Sequence, residues 1–597
     1  MFFDTETKSR LTYFTPDNKV MSDSLDSPLF NDDLKSGEKL RMKMAWTDFA
    51  RYDREKGFTG DQWNFWTDTE RLWKYVVSLS VKGSPLHIVA HNIFFDEQCS
   101  DFFYWLTKWG WCLKFTYDKG MIYVLTIHKG PLVIKCMSST NFFPFSLQKL
   151  GDMLGLPKLE VDFKKSSRSD LIGYCKRDVQ ILRKAMGYYL SLLTEHDLGS
   201  FKLSRASQAF NSFRYRFMDH KIYLHKHDEV TPLEQSGYFG GRVESRFLGY
   251  CKGSGFVHLD VNSMYPFVMR KYPVPVRLID HGSYCEEKKM LDLLKSYCCM
   301  ANVDLQTDDP AYAMRYRGKL VFPTGKFTTT LCSEGLKRAI KNKHLKNINS
   351  YSVYERAVIF RDYVNYWHGL KKRYDKTGNT VMKEISKNFL NYLYGKFAQQ
   401  IDIVEMYDDI TYDGYWREDV FDLVTRQTEI TTKMFNCIFR TFGRLPSKTY
   451  FAAIASHITE YARFRLYDLM SIAGIENILY CDTDSLKMKA EFLPLYKNVI
   501  DPDRLGYLKL EDTTKHLAIF GAKYYTTEKV KKIKGVPTKA EHHGGHKYSY
   551  TEFFRQAHHL RNQITRFMTI RKVTKTVKPF YDKGKVLNDG TIVPFRF

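Results

Sequence analysis

The chain of 597 residues is long enough for about three to five ordinary domains, which excludes a small disulfide scaffold or a lone binding module. Lys and Arg number 91 against 67 Asp and Glu, a net charge of +24, while 44% hydrophobic and 15% aromatic content is too apolar for a disordered basic tail. A field of this sign gathers polyanions, which leaves nucleic acid, anionic membrane and acidic protein as candidate partners.

The eleven cysteines include no CxxC pair, and the adjacent Cys298 and Cys299 cannot act as a spaced zinc clamp, so inert thiols in a reducing compartment are expected. No apolar run approaches the roughly 18 to 20 residues of a membrane span, and Asp4 and Glu6 interrupt any signal-peptide pattern. The expected location is the cytoplasm, that of a host if the chain is viral. The absence of a GK[ST] tripeptide excludes a P-loop NTPase or helicase of standard form.

In chain order, MFFDTET (Met1 to Thr7) sets Asp4 and Glu6 at i and i+2, which a strand of period two puts on one face. Two carboxylates side by side repel unless a cation lies between them. HIVAHNIFFDEQ (His87 to Gln98) reads as a buried strand ending in Asn92, Phe95 and Asp96, and YCKRDVQIL (Tyr174 to Leu182) as a helix with Tyr174 and Asp178 at i and i+4. Each segment alone is an ordinary surface acid. The set of three resembles the motifs of DEDD-type 3′-to-5′ exonucleases in the variant with a tyrosine. That resemblance implies divalent ions at Asp4, Glu6, Asp96 and Asp178, Tyr174 orienting the attacking water, and Asn92 and Phe95 against DNA. FSLQKL, with Ser146 and Leu147, and KLEV, with Lys158, resemble secondary exonuclease motifs that contact single-stranded DNA and phosphate.

A second set follows. FVHLDVNSMYPFVM (Phe256 to Met269) reads as a strand entering a turn, with Asp260 at its end and Ser263, Tyr265 and Pro266 just beyond. EISKNFLNYLYGKFA (Glu384 to Ala398) reads as one helix with Lys387, Asn391 and Tyr394 on a single face, and ILYCDTDSLKM (Ile478 to Met488) as a hairpin with Asp482 and Asp484 at its apex. The patterns DxxSxYP, KxxxNxxYGKF and YxDTDS, in this order, resemble motifs A, B and C of family B DNA polymerases. The resemblance implies two Mg²⁺ ions per active site, with Mn²⁺ as a substitute. They would sit at Asp260 and Asp484, with Val261 alongside and Asp482 in support. Lys387 would meet the phosphates of the incoming deoxynucleoside triphosphate. Tyr265, Tyr394, Asn391 and Ser263 would line its pocket, where the rings leave little space for a 2′ hydroxyl. YFGGR resembles the YxGG motif, with Tyr238, Gly240 and Gly241 allowing close approach of a DNA strand. AKYYT resembles KxY, with Lys523 and Tyr525 at the primer terminus.

The compact layout is similar to the protein-primed polymerases of phages and linear plasmids. The expected fold class is α/β and α+β multidomain. An RNase H-like exonuclease domain over 1–190 precedes a right hand: palm start 191–280, a first insertion 281–345 facing a terminal protein, fingers 346–399, a second insertion 400–447 containing EMYDDITYDGYW, palm 448–526 and thumb 527–597. From Lys529 to Phe597, sixteen Lys and Arg face four Asp and Glu, a basic segment suited to duplex phosphates. The expected function is a DNA-dependent DNA polymerase with 3′-to-5′ proofreading, protein-primed and strand-displacing. It would act as a monomer, with primer-template DNA, a terminal protein and a single-strand binding protein as partners and no membrane. Its rivals are a nucleic-acid-primed polymerase of the same family, a pure exonuclease, and a single-strand binding protein using the forty tyrosines for stacking.

Overall fold

Alternating side chains divide the first strand, Phe2–Phe14, between two cores. Phe2 belongs to the core that holds Leu182, Met186 and Tyr189 of the long helix Arg168–Glu195, whereas Phe3 joins Trp73, Ile93 and Phe102 on the other face. Asp4 and Glu6 share the face of Phe2 and so meet the long helix, where the Cys175 thiol donates to the Asp4 carbonyl at 3.4 Å. This is a computed structural model, and it describes residues 1–14, 35–163, 165–408 and 414–597; residues 409–413 of the EMYDDITYDGYW run lie outside the described residues.

The first strand runs antiparallel to Lys35–Asp53 and parallel to Leu86–Ala90, which is in turn parallel to Leu132–Ser138. One expectation needs correction here. The apolar run from His87 ends as a strand at Ala90, Asn92 takes the N-cap position, and Phe95 and Asp96 stand on the helix Ile93–Cys99. A run as short as IFF fits either periodicity, and with every residue of Ile93–Cys99 except Phe95 buried, no alternation of polar and apolar positions marks the helix in the sequence.

The carboxyl-terminal segment extends this sheet. Strand Met568–Thr576 pairs with Lys35–Asp53 on one side and Lys547–Phe553 on the other, giving ten strands in all. Gln98 locks the junction, its amide donating to the carbonyls of Ile564 at 2.8 Å and Phe567 at 3.1 Å. A second segment docks on the same domain. The antiparallel sheet of Gln400–Asp408, Trp416–Phe421, Thr428–Met434 and Cys437–Pro446 ends in a hairpin tip at Phe435 and Asn436, both with positive φ. Such a turn favours Asn-Gly. Phe435 occupies it because its fully buried ring packs on Phe102 and Phe103, with centroids 5.6 and 5.5 Å away.

The segments expected to form a palm make a five-stranded antiparallel sheet in the order Leu508–Thr514, Phe256–Val261, Ser485–Lys489, Ile478–Asp482, Val243–Ser245. Behind it the helix Ala452–Ser471 is buried almost all round. Its Glu460 accepts the N–H groups of Cys332 and Gly335 at the start of helix Ser333–Lys341. That contact fastens the four-stranded sheet spanning Val274–Ala357 to the palm. The paired helices Arg361–Lys376 and Thr380–Tyr392 stack Trp367 on Phe389 at 4.0 Å. The second of them stops at Tyr392, short of the Ala398 expected. Tyr394 opens a tighter 3₁₀ turn to Ala398, in which Gly395 disfavours α-helix and Phe397 turns into the core.

His559 titrates at the docked tail. It is buried, its Nε2 accepts the Thr569 N–H at 3.2 Å and its Nδ1 meets the Arg555 carbonyl at 3.1 Å, which fits the neutral ring. Burial pulls its pKa from 6.5 down to about 3. The unfolded chain therefore takes up a proton below about pH 6.5 that the folded chain refuses, and stability falls as pH drops from there towards 3. Between pH 7 and pH 5 this amounts to about 2 kcal/mol. A His559→Gln variant should lose less melting temperature over that interval than the wild type, as read by thermal unfolding at the two pH values.

Candidate active sites

Asp260 is the penultimate residue of strand Phe256–Val261, directly opposite Ser485, and the Val261 N–H donates to the Asp484 carbonyl at 2.7 Å. This brings motifs A and C together across one pair of strands. Burial and then the Asp484 carboxylate raise the Asp260 pKa to about 7; burial and then Asp482 raise Asp484 to about 6. Asp482 is buried, and Lys523 Nζ reaches its carboxylate at 3.1 Å with Lys532 Nζ at 3.8 Å. Tyr265 and Tyr394 stack face to face, 4.8 Å apart and 10° from parallel. Ser263 caps helix Met264–Lys271 in a left-handed conformation, while Lys387 and Asn391 lie exposed on the helix Thr380–Tyr392.

The first-third acids form a second cluster. Asp96 accepts from the Thr5 N–H at 3.0 Å and the Thr5 hydroxyl at 2.7 Å, which ties helix Ile93–Cys99 to the first strand. Asp178 is paired with Lys158, whose ammonium lies 4.4 Å from the centre of the Tyr174 ring. Burial, followed by repulsion from Asp178, raises the pKa of both Asp4 and Glu6, with Asp96 adding to it. Burial also raises Asp96 and Asp178, against hydrogen bonds from Thr5 in one case and the charge of Lys158 in the other. Asp4 Oδ2 and Asp178 Oδ1 are buried with no hydrogen-bond partner. Hard oxygen donors, crowded and unsatisfied, fit Mg²⁺-like cations better than they fit each other.

The expected DNA-facing residues differ in exposure. Ser146 is exposed and caps helix Leu147–Met153, accepting from the Lys149 N–H, but Leu147 itself is buried in the core and cannot present its side chain to a strand. Asn92 is exposed, and Phe95 packs edge-on against Phe553 of the tail at 5.7 Å. Tyr525 is buried beside Tyr480, while Tyr238 is half-buried. Gly240 opens onto free space. Gly241 faces Thr483 of the motif C turn instead of open space.

Residues 158–473 match the family model described as DNA polymerase type B, organellar and viral. The chain belongs to this family. Among relatives, the DNA polymerase of Bacillus phage Nf is 22% identical over 421 residues, covering 66% of this chain and 68% of that one. The DNA-directed DNA polymerase of Enterobacteria phage PRD1 is 25% identical over 522 residues, covering 82% and 84%. The fold is that of phi29 DNA polymerase, with a TM-score of 0.65 at 15% identity over 97% of this chain and all of that one. Its complex with primer-template DNA and incoming nucleotides gives 0.64 at 16% identity, over 97% of this chain and all of that one. The type B polymerase described here is thus a DNA-directed DNA polymerase with a 3′-to-5′ exonuclease, dependent on divalent metal.

Three residues packed against these clusters escape sequence reasoning. Lys371 Nζ lies 3.4 Å from Ser263 Oγ, close enough to Lys387 and Lys383 for their charges to add to burial in lowering its pKa. In the run HGLKKRYDK nothing in the spacing says which of Lys371, Lys372 and Arg373 faces motif A; only the packing of the helix does. Cys175 brings its sulfur within 4.8 Å of ligand oxygens of Asp4 and Glu6, one residue along the helix from Tyr174. Arg463, 4% exposed, donates to the Phe239 carbonyl at 2.9 Å and the Gly240 carbonyl at 3.2 Å.

Proposed function

We propose that this polymerase extends DNA at Asp260 and Asp484, edits at Asp4, Glu6, Asp96 and Asp178, and starts synthesis on a protein hydroxyl, displacing the strand ahead. The observation that carries the reading is the pair of separate carboxylate clusters, each held against its own repulsion. Two Mg²⁺ ions at each cluster, when bound, supply charge neutralisation and lower the pKa of the attacking hydroxyl or water. Everything else falls to the chain. Lys387 and Lys371 present two ammonium groups to the triphosphate beside motif A. The stacked Tyr265 and Tyr394 form a flat wall against the sugar, which excludes a 2′ hydroxyl, with Asn391 and Ser263 at its edges. Lys523 keeps the Asp482 carboxylate compensated. In the editing cluster Lys158 holds Asp178 and lies over Tyr174, whose phenol orients water; Asn92 and Ser146 offer exposed polar groups to a frayed strand.

Protein priming and strand displacement are supported by the likeness to the phage polymerases and by the two inserted sheets. The first, across Val274–Ala357, stands beside the palm as a surface for a terminal protein. The second carries the chain from the palm to the exonuclease domain at Phe435, and the tail returns along the same sheet. In this reading the two sheets would hold the template and shed the displaced strand to a single-strand binding protein.

The two chemistries should separate by mutation. Asp260→Ala or Asp484→Ala is expected to lower primer extension at least about 10³-fold while leaving digestion of single-stranded DNA intact, and Asp4→Ala with Glu6→Ala the reverse. Gel assays of both activities on each variant read the outcome; extension surviving in the Asp260 and Asp484 variants would remove the assignment. Protein priming predicts that the polymerase, incubated with a terminal protein from its own replicon, transfers labelled dAMP onto that protein without an oligonucleotide. A strict need for an oligonucleotide would make the enzyme nucleic-acid-primed.

A further inference from the structure

Thr483, between the motif C carboxylates, has φ +65°, a left-handed conformation that a β-branched residue rarely adopts. Its surroundings hold it there. Its N–H donates to the Arg242 carbonyl at 2.7 Å, and its hydroxyl donates to Asp482 Oδ1 at 3.2 Å. Its side chain fills the space that a Cβ on Gly241 would need, with Cγ2 2.7 Å and Oγ1 2.8 Å from that position. The loop carrying Gly241 is fixed from behind by Arg463, whose guanidinium holds the carbonyls of Phe239 and Gly240, and from ahead by the pairing of Val243 with Asp482. Gly240, by contrast, has nothing within 4 Å of its would-be Cβ.

We infer that Gly241 and Arg463 are positioning residues for the motif C carboxylates, and that Gly241 is glycine because Thr483 needs its space. Arg463 sets the height of the YFGG loop, Gly241 admits the Thr483 side chain, and the left-handed turn that results aims Asp484 at Asp260. The inference rests on reading Asp260 and Asp484 as the polymerising carboxylates.

A kinetic split tests it. For Gly241→Ala, Thr483→Gly and the double variant, primer-template Kd is measured in EDTA, the single-turnover extension rate with Mg²⁺, and exonuclease rate on single-stranded DNA. Gly241→Ala is expected to slow extension by about 10²-fold, with Kd within twofold of wild type and the exonuclease rate unchanged. The loss should largely vanish when the same change is made in the Thr483→Gly background, whatever the rate of Thr483→Gly alone, because the clash is gone. A weakened Kd with an intact extension rate, no loss at all, or the same loss in both backgrounds overturns the inference and returns Gly241 to a DNA-contacting role. If Gly241→Ala also loses exonuclease activity, and so fails to fold, Arg463→Lys carries the test. It keeps the charge but loses the fork, and should slow extension at unchanged Kd, whereas a changed Kd at unchanged rate overturns the claim. An Asp484→Ala control that still extends primers would instead defeat the underlying polymerase reading.

Discussion

Carboxylates forced together in buried places are the constraint around which this molecule is organised. Asp4 shares its pocket with Glu6, Asp96 and Asp178, and Asp260 faces Asp484 across a pair of strands. Burying like charges without counterions is unfavourable, and a fold tolerates it only where the surrounding packing leaves no alternative. Each cluster here is over-determined in that way. Thr5 bonds Asp96 to the first strand, Lys158 pins Asp178, and Thr483 is wedged between Gly241 and the Arg242 carbonyl. The same repulsion that opposes folding gives both sites their appetite for divalent cations.

The exonuclease sheet serves as the anchor for the rest of the chain. Phe435 enters its core from the second inserted sheet, and the basic tail adds strands to its edge, so that segments hundreds of residues apart share one apolar cluster. The tail is thereby held against the helix of the editing site, where Phe95 packs on Phe553. Its link to that site is short: Gln98, which grips the tail, lies two residues beyond the editing carboxylate Asp96 on the same helix.

Much of this was legible in the sequence, because metal chemistry imposes local patterns. Asp4 with Glu6, Tyr174 with Asp178, and Asp482 with Asp484 lie within one strand, helix or turn, and the period of that element alone fixes their relation. The helix bearing Asp96 was not legible, since IFF suits strand and helix equally. Tyr394 was displaced by a 3₁₀ turn that helical periodicity does not anticipate. Lys371, Arg463 and the partnership of Gly241 with Thr483 are products of tertiary packing, as are the docking of Phe435 and the pairing of Met568–Thr576 with Lys35–Asp53. No spacing in the chain encodes those contacts.

The carboxylates repel one another until cations arrive, so the sites are built at the expense of stability. Thermal unfolding of the wild type and an Asp4→Asn variant, each in EDTA and in Mg²⁺, tests it most directly. Asp4→Asn is expected to melt higher than the wild type in EDTA and to gain less from Mg²⁺. A variant that melts lower in EDTA, or that gains as much from Mg²⁺ as the wild type, would contradict it.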